Sequence, residues 1–153
     1  MEHSNYSGHL HILEAEEIAH IYALPNFTPD ERALFFALST SEREQVRELR
    51  GVSSKVYFIL QLGYFKAKHL FFTFDFEDQA VDTAFILAKY FPTTDRKKLL
   101  EVSRPTRQSQ QNLICKLFDY QSFNEAFHKQ LMQKAAVLAK RHNHAVYLFR
   151  SIL

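Results

Sequence analysis

Four polar side chains near residue 110 are the part of the sequence best suited to contacting DNA bases. Arg107, Gln108, Gln110 and Gln111 follow a break at residues 103–105, and the apolar residues of the same stretch begin only at Leu113. A glutamine amide donates to and accepts from an adenine edge together, and an arginine makes a bidentate contact with guanine. We therefore expect a helix whose polar first half enters the major groove and reads bases.

The residues before this helix predict the first half of a helix-turn-helix-like unit over 94–118. Thr94 is expected to cap a short helix, the segment 103–105 with Pro105 to end it, and Thr106 to cap the second helix. Cations of the unit would neutralise backbone phosphates, which supplies affinity without sequence information. They are Arg96, Lys97, Lys98, Arg104 and Arg107. The alternative is a frayed polar helix end beside a solvated basic face, since helix pairs are common in all-α domains.

A second candidate contact with DNA lies at Ser53, Ser54 and Lys55, after Gly51. Hydroxyls and amides at a helix start can hold phosphate. In the helix before Gly51, three arginines are spaced to share one face. They are Arg43, Arg47 and Arg50. A capped helix joint with solvated charges is the alternative interpretation of this region.

The sequence offers no recognisable catalytic or metal-binding set. Cys115 is the single cysteine, so an internal disulfide and a multi-cysteine zinc site are excluded. The histidine pairs at positions 9 and 11 and positions 142 and 144 have no third ligand at a known spacing. We predict a non-catalytic chain with no cofactor and no metal.

Charge is distributed unevenly along the chain, although 19 Lys and Arg against 17 Asp and Glu give a net charge of only +2. Residues 1–48 carry three basic and nine acidic residues, whereas residues 96–153 carry eleven basic and three acidic ones. This polarity predicts a polyanion-binding surface in the C-terminal part. No uncharged apolar run reaches membrane-spanning length and residues 1–8 are polar, so we expect no membrane partner and a cytoplasmic location in the cell.

Three glycines, four prolines and many helix-forming residues predict an all-α, multi-helix bundle. Capping boxes are expected at Thr28 with Glu31 and at Ser41 with Glu44. The most apolar helix, over 53–69, should be the central buried one. Helices are also expected over 14–22, 77–91, 123–141 and 145–153. Two of these have predicted core faces, namely Ala80, Val81, Ala84, Phe85 and Ala88 in one, and Phe123, Phe127, Leu131, Ala135 and Leu138 in the other.

The phenylalanine-rich stretch 70–76 is expected to be a connector packed by its rings. It divides the chain into subdomains 1–72 and 73–153, although one continuous core is the alternative. The sequence stops inside a helical pattern without a cap, which favours a fragment of a longer protein.

An ordered series of short motifs over about residues 12–123 resembles the N-terminal region of the replicative, cointegrate-forming transposases of the Tn-three family. The run from Phe58 to Ala67 is its most specific part. The other matching pieces are Ala23-Leu24-Pro25, Phe27 to Arg32, Leu49-Arg50-Gly51, Phe71-Phe72, Tyr90-Phe91-Pro92, Arg104, Arg107 and Asp119-Tyr120.

The resemblance implies an all-helical module that recognises the terminal inverted repeats of a transposon in double-stranded DNA. In that family, a separate metal-dependent domain far towards the C-terminus cuts the strands, and this chain lacks it. The expected partners of this chain are the repeat DNA, the remainder of a transposase chain and a second copy in a homo-oligomer. We expect the chain at the bacterial nucleoid. A helical scaffold for protein–protein interaction, with no nucleic-acid role, is the competing hypothesis.

Overall fold

The computed structural model describes residues 13–121 and 125–141, and all regular secondary structure in those residues is helical. The all-α fold is therefore confirmed. Seven α-helices and one short 3₁₀ turn follow each other in the described chain. They are α1 (Ala15–Tyr22), α2 (Pro29–Phe35), α3 (Thr40–Glu48), α4 (Val52–Lys68), α5 (Ala80–Tyr90), the 3₁₀ turn (Arg96–Lys98), α6 (Arg104–Leu117) and α7 (Glu125–Arg141).

The chain divides into two compact units. One is Tyr22–Gln121, and the other combines Met1–Ile21 with Ser122–Leu153. The boundary predicted after residue 72 falls inside the first unit, where the connector packs on α4 through its rings. Phe74 stacks on Tyr57 with centroids 4.6 Å apart, and Phe76 meets the same ring edge-on at 5.9 Å. No described helix is both long and apolar enough to cross a membrane.

Helix α4 is the centre of the Tyr22–Gln121 unit, as its apolar sequence predicts. Every residue from Val56 to Phe65 is buried, and α2, α3, α5 and α6 all pack against it. Surrounding a helix on all sides removes its whole apolar surface from water, which is the main driving force of the fold. A polar group on such a helix is costly unless it finds a partner in the protein. Gln61 Nε2 has one, whereas Gln61 Oε1 is a buried atom without a hydrogen-bond partner among the described residues.

Three polar side chains on one face of α4 each donate a hydrogen bond to a different element. The Tyr57 hydroxyl donates to the Phe74 carbonyl of the connector at 3.2 Å. Gln61 Nε2 donates to an oxygen of α6 at 2.8 Å, and the Tyr64 hydroxyl donates to Asp82 Oδ2 of α5 at 2.7 Å. Because these bonds are short and directional, they fix the position of three neighbouring segments around α4.

Asp82 of α5 is a buried carboxylate that lies between two polar side chains, Arg32 and Tyr64. Its Oδ1 accepts from Arg32 Nε of α2 at 2.6 Å, while its Oδ2 faces Tyr64. Burial, followed by the hydrogen bond and charge of Asp82, raises the pKa of Tyr64 well above its ordinary value, so this hydroxyl stays a donor. The ion pair with Arg32 and the hydrogen bond from Tyr64 therefore connect α5 to α2 and to α4.

The position of Asp82 shows that the predicted core face of α5 is wrong. The helix buries Asp82, Thr83, Ile86 and Leu87, whereas Val81 is 66% exposed. Periodicity favoured the alanine and valine positions because they are apolar. The helix is instead rotated so that its carboxylate reaches Arg32 and Tyr64. The helix also begins later than expected, after a turn in which Asp78 N donates to Asp75 Oδ1.

Of the two predicted capping boxes, one is confirmed and the other is formed by different residues. The capping box of Thr28 and Glu31 is present, and the hydrogen bonds from Thr28 hold the pKa of the Glu31 carboxyl below its usual range. The second box is formed by Ser39 and Glu42 instead of Ser41 and Glu44. Glu42 is the better partner because it also pairs with Lys66 of α4 at 2.8 Å.

Helix α7 has no buried residue among those described. Its predicted core positions Phe127 and Leu131 are 41% and 40% exposed, so that part of the prediction is wrong. The predicted position Phe123 and the helix expected over 145–153 lie outside the described residues.

Adding a single methyl group at Gly63 of α4 is expected to destabilise the protein. A Cβ at this position would collide with ring carbons of Phe36, a side chain that is completely buried. Alanine is normally the better helix former, by about 1 kcal/mol. We expect Gly63→Ala instead to lower the free energy of unfolding by about 1–3 kcal/mol, because the core is overpacked. Urea unfolding measures this, and a variant as stable as the parent protein would contradict the packing described.

Candidate nucleic-acid interface

The predicted helix-turn-helix-like unit over 94–118 differs from its expected form. Its first part is only the three-residue 3₁₀ turn, capped by Asp95 instead of Thr94, and residues 99–102 continue without helix. Ser103, not Thr106, caps α6 by accepting from the Thr106 amide at 3.4 Å. The cap moves because Pro105 is compatible with the first turn of a helix, where it removes no hydrogen bond.

Gln110 lies inside the protein and is 1% exposed, so the prediction that it reads a base is wrong. Its Nε2 donates to the carbonyl oxygen and the hydroxyl of Ser54, both at 2.9 Å, and its Oε1 accepts from Gln61. A polar residue in a polar stretch gives no sequence signal for burial. Partners far away in the chain, Gln61 and Ser54 of α4, explain why α6 turns this side chain inwards.

Ser53 and Ser54 do not cap α4, which begins at Val52 after the N-cap residue Gly51, whose φ is 76° and which offers no side-chain cap. Each serine instead contacts another segment. Ser53 Oγ accepts from the Leu100 amide at 2.9 Å, just after the 3₁₀ turn. With Arg50, Ser103 and other residues they line an open depression of about 580 Å³. The structure thus brings the predicted serine pair next to the start of α6.

Arg96 and Arg107 line a groove of about 400 Å³ together with three carboxylates. Arg96 pairs with Glu77 at 2.5 Å. Burial raises the pKa of Tyr57, and the nearby positive charge of Arg107 opposes that effect. Part of the charge that we expected to face DNA is therefore balanced within the protein.

The remaining predicted cations are exposed, and one of them, Lys97, lines the same groove as the three carboxylates. Lys97, Lys98 and Arg104 are exposed and form no ion pair with any residue in the described ranges, and Gln108 is exposed one turn after Arg104. Gln111 is half-buried. We call the set of Lys97, Lys98, Arg104 and Gln108 the α6 basic edge.

Charge at the start of α6 is opposite to what helix stability favours. Its first turn contains Arg104 and no carboxylate, and Arg107 follows one turn later. A cation near a helix N-terminus is unfavourable by roughly 0.3–1 kcal/mol, because the backbone dipole is positive there. A bound anion would remove this penalty and use the same positive potential.

Lys55 belongs to a different surface, which the sequence did not reveal as a unit. It lines a groove of about 440 Å³ with Arg43, Arg47 and Lys89. The shared face of the arginines was visible from their spacing. The contribution of Lys89 was not visible, because α5 reaches this place only in the folded chain. We call this surface the α3–α4–α5 groove.

Within the described ranges, no three His, Cys, Asp or Glu side chains are close enough to hold a metal ion. Cys115 is a free, half-buried thiol. The histidines at positions 9, 11, 142 and 144 lie outside the described residues.

Two glutamines of α6, one buried and one exposed, allow a matched test of the internal hydrogen bonds of Gln110. Gln110→Ala leaves the buried Gln61 Nε2 without its acceptor and removes the two bonds that Gln110 donates to Ser54, and we expect it to lower the free energy of unfolding by about 1–3 kcal/mol. Gln108→Ala changes an exposed side chain and should stay within about 0.5 kcal/mol. Urea unfolding of both variants checks this, and equal losses would mean that Gln110 is not the internal bridge.

Comparison with known proteins places the chain in one family. Neither the search of curated proteins nor the search of solved structures gives a match. The model of a family described as a domain of unknown function (DUF4158) matches residues 12–153, nearly the whole sequence. The chain therefore belongs to the DUF4158 family.

Proposed function

We propose that this chain is a non-catalytic module that binds double-stranded DNA through the α6 basic edge. The observation that carries the proposal is the start of α6, where the exposed Arg104 lies in the first turn of the helix without any carboxylate. The protein accepts an unfavourable charge arrangement there, and a DNA phosphate is the kind of anion that would compensate it.

The two kinds of side chain on this edge suggest two tasks. Lys97, Lys98 and Arg104 would contact backbone phosphates, which supply most of the affinity and no sequence information. Gln108 is the exposed amide one turn after Arg104 and would make the base contact, with half-buried Gln111 further along the helix. Gln110 is not part of this proposal.

The resemblance to replicative transposases suggests which DNA is recognised. A module of this kind would bind the terminal inverted repeats of a transposon, while another part of a transposase cuts the strands. The DUF4158 match names no substrate, so the repeat DNA is part of the proposal.

The proposal predicts a salt-dependent affinity that these three cations control. Replacing Lys97, Lys98 and Arg104 together by Gln should reduce the slope of log K against log salt by about 0.9 for each lost phosphate contact. Fluorescence anisotropy with a labelled inverted-repeat duplex measures the slope. Lys116→Gln, an exposed change at the far end of α6, serves as the control and should leave the slope unchanged.

Gln108→Ala tests base recognition in the same assay. We expect it to reduce the preference for the repeat over an unrelated duplex while leaving the affinity for the unrelated duplex unchanged. A parent protein that binds both duplexes equally would contradict sequence recognition. A slope that the triple variant does not alter would contradict the proposed edge.

A second candidate function, a helical scaffold for protein interaction, is favoured by the exposed apolar side chains of α7. Leu131, Met132 and Val137 are 40%, 57% and 53% exposed. Contiguous exposed apolar side chains are typical of interaction surfaces. On α7, Leu131 shares one face with Phe127, which lies one turn earlier and is 41% exposed. The simplest partner is a second copy of the chain, which the sequence also suggested.

Sedimentation velocity over a range of concentrations tests self-association through α7. If α7 forms the contact, the parent protein associates and Leu131→Glu abolishes the association, whereas Gln133→Glu on the same helix does not. A parent protein that stays monomeric at the highest concentration would contradict a scaffold built by self-association.

A further inference from the structure

The α3–α4–α5 groove concentrates positive charge to a degree that the fold does not require. Four of its lining residues are basic and none is acidic. They are Arg43, Arg47, Lys55 and Lys89. Its floor is apolar and includes Leu38 and Ile59, which are 8% and 0% exposed. A volume of about 440 Å³ lies in the range of sites for small organic ligands, which is roughly 300–1,000 Å³.

Two of the four cations are held by contacts at the groove. Arg43 Nε donates to the Leu38 carbonyl at 3.1 Å, so one edge of its guanidinium is anchored. Lys89 Nζ lies 5.5 Å from the ring centroids of both Phe85 and Tyr90. Such cation–π contacts keep the ammonium beside the aromatic wall. The positive charge is therefore partly preorganised.

No carboxylate balances this charge. None of the four cations forms an ion pair with a described residue. Glu42 is close enough to influence the Tyr90 hydroxyl, but it is already paired with Lys66 at 2.8 Å. Arg43 and Arg47 are also four residues apart on α3, a spacing at which like charges repel. An anionic ligand would remove both unfavourable effects.

The combination of charge and apolar surface selects a class of ligand. Several converging cations suit a group with more than one phosphate, and arginine forks match phosphate oxygens in pairs. The apolar floor and the Tyr90 and Phe91 side chains offer contact for a flat, uncharged body. A simple inorganic anion would leave that part of the groove without a contact.

We propose that the α3–α4–α5 groove is a nucleotide-binding site, in which Arg43, Arg47, Lys55 and Lys89 hold the phosphates and the apolar floor contacts the sugar or base. This chemistry is shared by a free nucleoside diphosphate or triphosphate and by consecutive nucleotides of a single DNA strand. The site is separate from the α6 basic edge and does not depend on duplex recognition.

Binding of fluorescent methylanthraniloyl-ADP, followed by anisotropy, tests the proposal on the full chain. We expect saturable binding that weakens at least tenfold when Arg47 and Lys89 are both replaced by Gln. Both side chains are exposed, so the fold should be retained, and circular dichroism checks that it is. Lys116→Gln with Lys134→Gln removes the same charge at exposed positions outside both the groove and the α6 basic edge, and should change binding less than twofold.

Competition identifies the source of the nucleotide. Displacement of the probe by ADP but not by a thymidine decanucleotide indicates that the site binds a free nucleotide. If the decanucleotide displaces the probe at a lower concentration of phosphate groups than ADP requires, the site binds a single DNA strand. Either result supports the site. Pyrophosphate that competes as well as ADP would overturn the role of the apolar floor and hence the nucleotide class.

Absence of saturable binding at millimolar probe, or equal losses in the groove variant and its control, would overturn the proposal altogether. Duplex binding by the same two variants gives a separate readout. A groove variant that keeps its duplex affinity but loses the probe separates this site from the α6 basic edge. If the groove variant loses duplex affinity and the parent binds no probe, the groove is a duplex contact and the nucleotide proposal is wrong.

Discussion

The Tyr22–Gln121 unit depends on the need to satisfy polar groups on a helix that is buried on every side. Tyr57, Gln61 and Tyr64 occupy one face of α4, and each is at most 2% exposed. An unpaired polar group in such a place costs about 1–3 kcal/mol, so each position is tolerable only with a partner. The connector, α6 and α5 supply one partner each. Apolar packing makes the unit compact, and these three directional bonds determine which residues of each segment face inwards.

This constraint also shapes the proposed DNA-binding edge. Gln110 and Ile114 lie one helical turn apart and both face the interior. Their burial fixes the rotation of α6 about its axis and leaves Arg104 and Gln108, also one turn apart, on the exposed side. Gln110, which the sequence suggested for reading a base, instead determines which of its neighbours are exposed. Preorganisation of this kind lowers the entropy that is lost when a surface binds its partner.

Local signals in the sequence predicted the kind of most elements but not most of their caps, since those expected at Ser41, Thr94 and Thr106 lie at Ser39, Asp95 and Ser103. The capping box at Thr28, the apolar run of α4 and the role of residues 70–76 as a connector follow from short-range chemistry and are found in the structure. Errors arose where a polar residue meets a partner far away in the chain. Asp82 is buried because of Arg32, 50 positions earlier. The α3–α4–α5 groove was missed for the same reason, since Lys89 joins the arginines of α3 only through the fold.

The most direct test of DNA binding by the α6 basic edge is a titration of the isotope-labelled protein with an inverted-repeat duplex, followed by backbone amide shifts in NMR spectra. The account predicts that the largest shifts occur at Lys97, Lys98, Arg104 and Gln108, while the amide of Gln110 keeps its position in the core. Saturating duplex that produces no shifts, or shifts confined to α7, would contradict it.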